Sequence, residues 1–336
     1  MFKDKAVVIC ITPVRNEAWI LDRFLKCASL WADYIVIADR MSTDGSREIV
    51  KKYPKVKLLD NTSDDFDEKT RITLMVNEAR KIPGKRLIIA LDADEALSAN
   101  FAESPEWDKM LNAPEGTVFK FEWVNILPDM KHCWLEGNRF FGVVDDGYEG
   151  KYIKIHGPRL PIRNNASVVS LEGIKVLHYQ YTDWERMKSK QRWYQIWASL
   201  RFPNQRPVDI YRLYHPVERV ARERIIPLRK EWFSYYESKG IDMKEVKKDL
   251  SYQRNKNKEV LAFFEKYGVK RFRKCDVWDV DWEEISREIR YEINGPLKDP
   301  RNFFDKAIHA WLARTQMNPW SLKNKIISRA LELFGW

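Results

Sequence analysis

An α/β fold built on a mostly parallel central sheet, followed by a helical C-terminal region, is what the sequence predicts. Three observations carry that expectation. Four short runs rich in Val and Ile, residues 6–11, 34–38, 56–59 and 87–91, lack the in–out alternation of a half-exposed strand, so they read as strands covered on both faces. Helical spacing fills the gaps between them. The composition, 44 % apolar and 13 % aromatic over 336 residues, suffices for one large domain or two and excludes a disordered chain.

After the first run, Ile20, Leu21, Phe24, Leu25 and Leu30 keep helical spacing within 19–31. After the second, Ser42-Thr43-Asp44-Gly45-Ser46 is a turn leading to a short helix that ends near Tyr53. After the third, Ile72, Met75, Val76 and Ala79 share one face of a helix over 67–81, which Pro83-Gly84 terminates. Repeated β-α-β units of this length favour parallel strands joined by right-handed crossovers. From residue 182 the pattern turns helical. Thr182 and Glu185 have capping-box spacing before 187–200, and Asp242 with Glu245 predicts the start of a long helix ending near Gly268. Asp281 with Glu284, Asp299-Pro300 and Asn318-Pro319 mark three further starts. The predicted division is 1–181 and 182–336.

Charge separates the same two regions. The formal net charge is +10, yet residues 1–185 carry 26 basic and 29 acidic side chains, while 186–336 carry 33 basic against 20 acidic and hold 8 of the 14 tryptophans. The four cysteines, Cys10, Cys27, Cys133 and Cys275, show no C-x-x-C spacing, which argues against a disulfide scaffold or zinc ribbon and for a reducing compartment. The run 6–11 is too short for a signal segment, and no stretch approaches the ~18 apolar residues of a spanning helix. The expectation is a soluble cytoplasmic protein, at most peripheral on the inner membrane face.

No G-x-G-x-x-G follows the first strand and no P-loop occurs, so a Rossmann dinucleotide site and a Walker site are disfavoured. In an open α/β sheet a ligand sits at the carboxyl ends of the strands. Three polar clusters fall there: Thr12-Pro13-Val14-Arg15-Asn16-Glu17, Asp39-Arg40-Met41-Ser42-Thr43-Asp44-Gly45-Ser46, and Asp92-Ala93-Asp94-Glu95. Asp92 and Asp94, flanking the small Ala93, can offer oxygens to one hard divalent cation that keeps positions open for water and phosphate. The plainer reading is that one of them caps a helix.

Taken in this order, the clusters resemble the family 2 glycosyltransferases with a GT-A-type nucleotide-diphospho-sugar transferase fold. The resemblance spans roughly the first hundred residues and does not reach the last third of the chain. It implies that Thr12, Pro13, Arg15 and Glu17 line a nucleoside pocket, that Asp39 accepts a hydrogen bond from base or ribose, and that Arg71 is a basic nucleotide contact. It also implies that Asp92, Ala93 and Asp94 meet the diphosphate through Mn²⁺ or Mg²⁺. Arg40-Met41 departs from the small or polar residues usual there. Asp44 and Ser46 are better read as shaping their turn, and Arg71 has the alternative of pairing with Asp67.

The resemblance also implies that His178, after the run 174–177 in Leu177-His178-Tyr179, is a third metal ligand, with a structural hydrogen-bonding role as the alternative; His132, His156, His215 and His309 lack such context. An inverting transfer needs a carboxylate base. The acids between Trp123 and His178 are Asp129, Glu136, Asp145, Asp146, Glu149 and Glu172; Asp146 is preferred and Glu172 second, with Asp145-Asp146-Gly147 open to reading as a hairpin turn. Trp123, Trp134 and Tyr148 are candidates for sugar stacking or for the core.

The leading expectation is thus a metal-dependent, inverting glycosyltransferase taking a nucleotide-sugar donor, UDP- or another NDP-sugar, to a glycan or lipid-linked saccharide. The C-terminal helices would complete the acceptor site. The last helix sets Leu322, Ile326, Ile327, Ala330, Leu331 and Phe334 against Lys323, Lys325 and Arg329, which suits peripheral membrane contact or docking on its own domain. Residues 219–230, with Arg219, Arg222, Arg224, Arg229 and Lys230, could meet an acidic glycan or lipid phosphate. A nucleic-acid-binding protein is the alternative suggested by the basic half, without any motif for it. A sugar-phosphate nucleotidylyltransferase is another, although Thr12–Glu17 lacks the Gly-rich loop expected there.

Overall fold

The computed structural model describes residues 5–63, 68–150, 159–217, 220–248 and 250–336. Asp67, His156 and Arg219 lie outside the described residues. The chain forms β1 (Val7–Val14), α1 (Leu21–Ala28), β2 (Tyr34–Asp39), α2 (Ser46–Val50), β3 (Val56–Asp60), α3 (Glu68–Arg80), β4 (Arg86–Ala90), β5 (Glu95–Leu97), α4 (Pro105–Asn112), β6 (Val118–Ile126), β7 (His132–Val144) and β8 (Val168–His178). Next come α5 (Trp184–Arg201), α6 (Pro207–Tyr214), β9 (Ile225–Pro227), α7 (Ser234–Ser238), α8 (Leu250–Tyr267), α9 (Trp282–Glu288), α10 (Phe303–Thr315) and α11 (Leu322–Glu332). Two compact units result, the first from 1–182 and 226–247, the second from 183–225 and 248–336. Position 182 is therefore a crossing point, but the division at 181/182 misses a segment that returns to the first unit.

The sheet order is β3-β2-β1-β4-β7-β6-β8-β5, with β9 pairing β7. The first four strands are mutually parallel; β7 then runs antiparallel to β4 and β6, and β6 runs parallel to β8. The runs of β1, β2 and β4 lack alternation because both faces are covered, whereas β3, at the end of the sheet, is only half-buried with Lys57 exposed, contrary to the expectation for 56–59. Val8 and Cys10 of β1, Ile35 and Ile37 of β2, and Leu87 and Ile89 of β4 face one core with Leu21, Phe24 and Leu25 of α1. Their neighbours Ile9, Ile11, Val36, Ala38, Ile88 and Ala90 face the other, against Ile72, Met75, Val76 and Ala79 of α3. Each Val, Leu, Ile, Phe or Met among them contributes roughly 1.5–3 kcal/mol on burial. The returning segment adds Trp232, Phe233, Tyr236, Ile241 and Met243 to the first core.

In the second unit, Ile196 of α5 packs with Val260, Leu261 and Phe264 of α8 and with Trp278 and Trp282. Arg192 grips Asp279 with two nitrogens at 2.6 and 2.7 Å. A smaller cluster joins Val208 and Tyr211 of α6, Leu312 of α10 and Trp336. Several helix starts differ from expectation because the capping oxygen comes from a neighbour. Asp183, not Thr182, caps α5. Asn302 and Asp305 form the capping box of α10, while Asp299 holds Arg301 instead. Ser321 caps α11. Asp242 closes a turn onto the Lys244 and Glu245 amides, yet the described helix begins at Leu250. Asp281 caps α9 as the spacing predicts.

Asp145 locks the amino-terminal edge of the sheet. Its buried carboxylate accepts from Arg80 at the end of α3 (Nη2, 2.8 Å) and from Arg86 at the start of β4 (Nε, 3.1 Å). Burial works to raise its pKa, but the Arg80 bond and charge, with Gly147 N–H and Arg86, hold it below the usual carboxylate value. A depressed folded-state pKa contributes stability above the unfolded value, lost as pH falls through the folded one. Asp145→Asn is therefore expected to cost about 3 kcal/mol at neutral pH. The gap in urea midpoint between the two proteins should close below the ordinary aspartate range; a gap unchanged by acid would contradict the assignment.

Candidate functional site at the carboxyl edge of the sheet

β2, β1 and β4 are adjacent and parallel, so the three polar clusters that follow them share one sheet edge. Val14 pairs with Asp39 in register, and Leu91 N–H bonds Ile11 carbonyl at 3.1 Å. α3 enters at that same edge, because a crossover helix starts where its strand ends, and carries half-buried Arg71 in its first turn.

The first two loops are clasped together. Asn16, at φ 57°, donates its N–H to Ser42 Oγ (2.9 Å) and accepts Thr43 N–H on Oδ1 (2.8 Å). Glu17 N–H meets Ser46 Oγ (3.0 Å), and Ala18 N–H meets Asp44 Oδ2 (2.8 Å). The other oxygen of Asp44 accepts Ser46 N–H and Oγ–H. Asp44 and Ser46 thus spend their polar atoms on the turn. Glu17 also accepts Trp19 Nε1–H at 2.7 Å. Arg15 is exposed and Pro13 half-buried, so both can reach a ligand over this edge.

Asp39 is buried. One oxygen accepts from Arg47 Nη1 (2.7 Å) and Ser42 N–H (3.2 Å), while Arg47 also holds Asp60. Oδ1 of Asp39 and Oγ1 of Thr12 are buried without a hydrogen-bond partner among the described residues. Unmade hydrogen bonds of this kind cost about 1–3 kcal/mol each. They lie on adjacent strands toward the carboxyl edge, Thr12 opposite Ile37 and Asp39 opposite Val14, where a ligand could supply the missing partners. Beside them Met41 holds φ at 51° with its side chain 63 % exposed.

The third cluster is bound into the far half of the sheet. β5 pairs β8 with Glu95 opposite His178, and β6 pairs β8 with Asn125 opposite His178. Asp94 carboxylate and His178 imidazole consequently face each other, with Oδ2 and Nε2 3.8 Å apart. Asn125 donates Nδ2–H to Glu136 Oε2 (3.0 Å), which turns its Oδ1 toward His178 Nδ1 (2.7 Å). The Asn125 amide fixes the orientation of the ring and leaves its Nε2 edge toward Asp94. Trp123 stacks on the ring at a centroid distance of 4.3 Å, Arg139 lies over Trp123, and Tyr181 meets the ring edge-on. Trp134 leans on Tyr181 at 4.7 Å.

Asp94 and His178 fit a divalent cation. A separation of 3.8 Å is too long for a hydrogen bond, and two ligands each about 2.0–2.2 Å from one ion stand roughly 3–4 Å apart. Asn125 is the outer partner such a histidine ligand needs. Asp92 is placed differently: its Oδ2 holds Arg159 Nη2 at 2.7 Å, and Arg159 also grips Glu95. Glu95 accepts Asp92 N–H at 2.8 Å, and burial pushes its pKa up to about 7 against the charge of Arg159, with Asp92 and Asp94 adding to the rise. Among the described residues no set of three or more His, Cys, Asp or Glu converges as a ready metal cage. Asp94 and His178 would form a two-ligand site that leaves positions for water and phosphate oxygens.

The two residues preferred as base are not brought here. Asp146 follows Asp145, whose N–H bonds Arg86 carbonyl at the start of β4, the edge opposite Asp92, and its carboxylate is tied to Arg163 at 2.5 Å. Burial is outweighed by Arg163 and the Tyr148 amide, which hold its pKa low. Tyr148 lies beneath Arg163 at that same end. Glu172 is exposed on β8, six positions before His178, with its N–H bonded to Glu106. The acid that joins His178 through Asn125 is Glu136, whose other oxygen accepts from Arg139 Nη2 at 2.8 Å. Asn125, Glu136 and Arg159 carried no motif; the one available signal was a polar Asn closing an apolar strand.

No family model matches the chain and no curated protein matches it. Among solved structures the chain is similar to S. aureus TarS residues 1–349, with 13 % identity and a TM-score of 0.35 over 93 % of this chain and 90 % of that one. It is also similar to a 4-diphosphocytidyl-2C-methyl-D-erythritol synthase, with 12 % identity and a TM-score of 0.28 over 35 % of this chain; the match spans 60 % of that enzyme's length. HddC from Yersinia pseudotuberculosis gives 10 % identity and a TM-score of 0.32, covering 52 % and 93 %.

Proposed function

We propose that the first unit transfers a sugar from a nucleotide-diphospho-sugar to an acceptor hydroxyl on a glycan or lipid-linked saccharide, with inversion, using Mn²⁺ or Mg²⁺. The observation that carries this reading is the meeting of Asp94 and His178 at 3.8 Å on the edge where Thr12 and Asp39 leave oxygens without partners among the described residues. In the proposal, Thr12, Pro13, Arg15, Glu17, Asp39 and Arg71 receive the nucleoside, and Asp94 and His178 hold the cation beside the diphosphate. When bound, that ion would neutralise charge on the departing diphosphate. Asn125 and Trp123 keep the His178 ring oriented. Arg159 restrains Asp92 and Glu95 behind Ala93. Glu136, paired on its other oxygen with Arg139 at 2.8 Å, is proposed to take the proton from the attacking hydroxyl in place of Asp146 and Glu172.

A thermal-shift panel of nucleoside diphosphates and nucleotide sugars, with Mn²⁺, Mg²⁺ or EDTA, tests the donor site. A ligand selective for the folded state stabilises it by about 2.7 kcal/mol at a hundredfold excess over Kd. The expected result is a rise of several degrees for one base, abolished by EDTA. No shift for any nucleotide with metal present would remove the proposal. Product analysis separates the neighbouring chemistry: sugar transfer liberates a nucleoside diphosphate, whereas nucleotidylyl transfer would consume a nucleoside triphosphate and liberate pyrophosphate.

A further inference from the structure

α11 has two faces that the structure treats differently. One docks: Asn324 donates Nδ2–H to Asn318 carbonyl at 2.7 Å, and Leu331 packs on the cluster of Tyr211, Leu312 and Trp336. The other does not. Leu322, Ile326, Arg329 and Leu333 follow i, i+4, i+7, i+11 spacing, which aligns them along one stripe of a helix. Leu322 is 75 %, Ile326 62 % and Leu333 86 % exposed, and Trp320 just before the helix is 64 % exposed. Together they form an apolar strip of a kind that soluble monomers rarely leave in water.

The strip borders a cleft of about 320 Å³ lined by Arg206, Arg212, Trp320, Lys325, Arg329 and Glu332, among others. Arg206 is engaged by Asp209 and Glu332, and Arg212 by Gln316 and Leu312 carbonyl. Lys325 and Arg329 have no carboxylate partner among the described residues, nor has Lys323. A second exposed apolar pair, Phe303 and Phe304 (80 % and 73 %), opens α10. It lies at the same end of the unit as the close of α11, since Arg273 holds Asp305 while the next residue, Lys274, donates to Phe334 and Gly335 carbonyls.

We infer that this face binds the surface of a bilayer containing anionic phospholipid. The strip supplies apolar side chains at headgroup depth, Trp320 is a residue type suited to that boundary, and Lys325 and Arg329 line a cleft sized for a phosphate headgroup. The unit's own residues, 183–225 and 248–336, hold 28 basic against 18 acidic side chains, an excess that draws it to a negative surface. A second copy of the chain fits less well, because a two-fold contact would set Lys325 and Arg329 against their own equivalents.

The test is flotation of the full chain with vesicles of phosphatidylcholine alone or with about a third phosphatidylglycerol. At low salt the chain is expected to bind the mixed vesicles at least tenfold more tightly than the neutral ones. Leu322→Glu/Ile326→Glu/Leu333→Glu should abolish binding at an unchanged thermal midpoint, since these side chains pack against little. Lys325→Glu/Arg329→Glu should weaken binding by tenfold or more and flatten its salt dependence, each cation contributing about fivefold. Absence of the wild type from mixed vesicles, or equal flotation of the triple glutamate variant, would overturn the inference. A wild-type dimer that the triple variant dissociates, with no vesicle binding, would overturn it in favour of a self-contact.

Discussion

Asp94→Ala is expected to lower sugar transfer by about 10³-fold, a loss of roughly 4 kcal/mol of transition-state stabilisation, while the chain stays folded. The fold tolerates the change because what Asp94 gives the sheet is its backbone: its carbonyl accepts Tyr179 N–H at 2.8 Å and ties the third cluster to the end of β8. The side chain instead faces His178 Nε2. Removing it leaves His178 alone as a proposed ligand, and a single imidazole holds Mn²⁺ or Mg²⁺ weakly, since both ions prefer oxygen donors. The measurement is kcat/KM beside the thermal midpoint and the metal-dependent nucleotide shift. Full activity in the variant would sink the cation site. A loss that merely tracks a fallen midpoint would make Asp94 structural.

Glu136→Gln is expected to lower kcat by 10²–10⁴-fold with little change in donor binding. The substitution is informative because Glu136 has two jobs in the proposal. As a neighbour it orients Asn125, and through it the His178 ring; as a base it takes a proton. A Gln at 136 still presents a carbonyl oxygen to Asn125 Nδ2–H, so the orientation of His178 survives while the basic oxygen is lost. The nucleotide- and metal-dependent thermal shift should therefore persist in Glu136→Gln. Asp146→Asn serves as the contrast. It lies at the opposite edge of β4 with Arg163, so it should lose some stability and no turnover relative to its folded fraction. Loss of activity in Asp146→Asn, with Glu136→Gln unaffected, would reverse the assignment.

How far the sequence could be read follows from what each element depends on. β1, β2 and β4 were legible because burial on both faces leaves a local mark: successive residues such as Val8 and Ile9 must both be apolar when one faces α1 and the next α3. The three strand-end clusters were legible for the same reason, since parallel neighbours deliver their ends to one edge. The base was not. Glu136 and Asp146 are ten residues apart on or just after one long strand, and which end of β7 meets Asp92 depends on its antiparallel pairing with β4 and β6. Nothing in the residues around them encodes that direction. Helix starts failed by one to three residues wherever two capping side chains competed, as with Asp299 and Asn302. Arg159 was invisible because its partners, Asp92 and Glu95, lie more than sixty positions upstream.

The interlaced path of the chain has a consequence for how the protein is made. The first core is not closed by residue 182: Trp232, Phe233, Tyr236, Ile241 and Met243 complete it, after the chain has spent a passage in the other unit. At ribosomal speeds of about 5–20 residues per second, roughly 65 further residues take some 3–13 s to appear. During that interval the nascent sheet presents an uncovered apolar face that chaperones or neighbouring nascent chains can find. A gene cut after 181 would make that transient condition permanent. An excised first unit should need the 226–247 stretch grafted back by a short linker before it stays in solution.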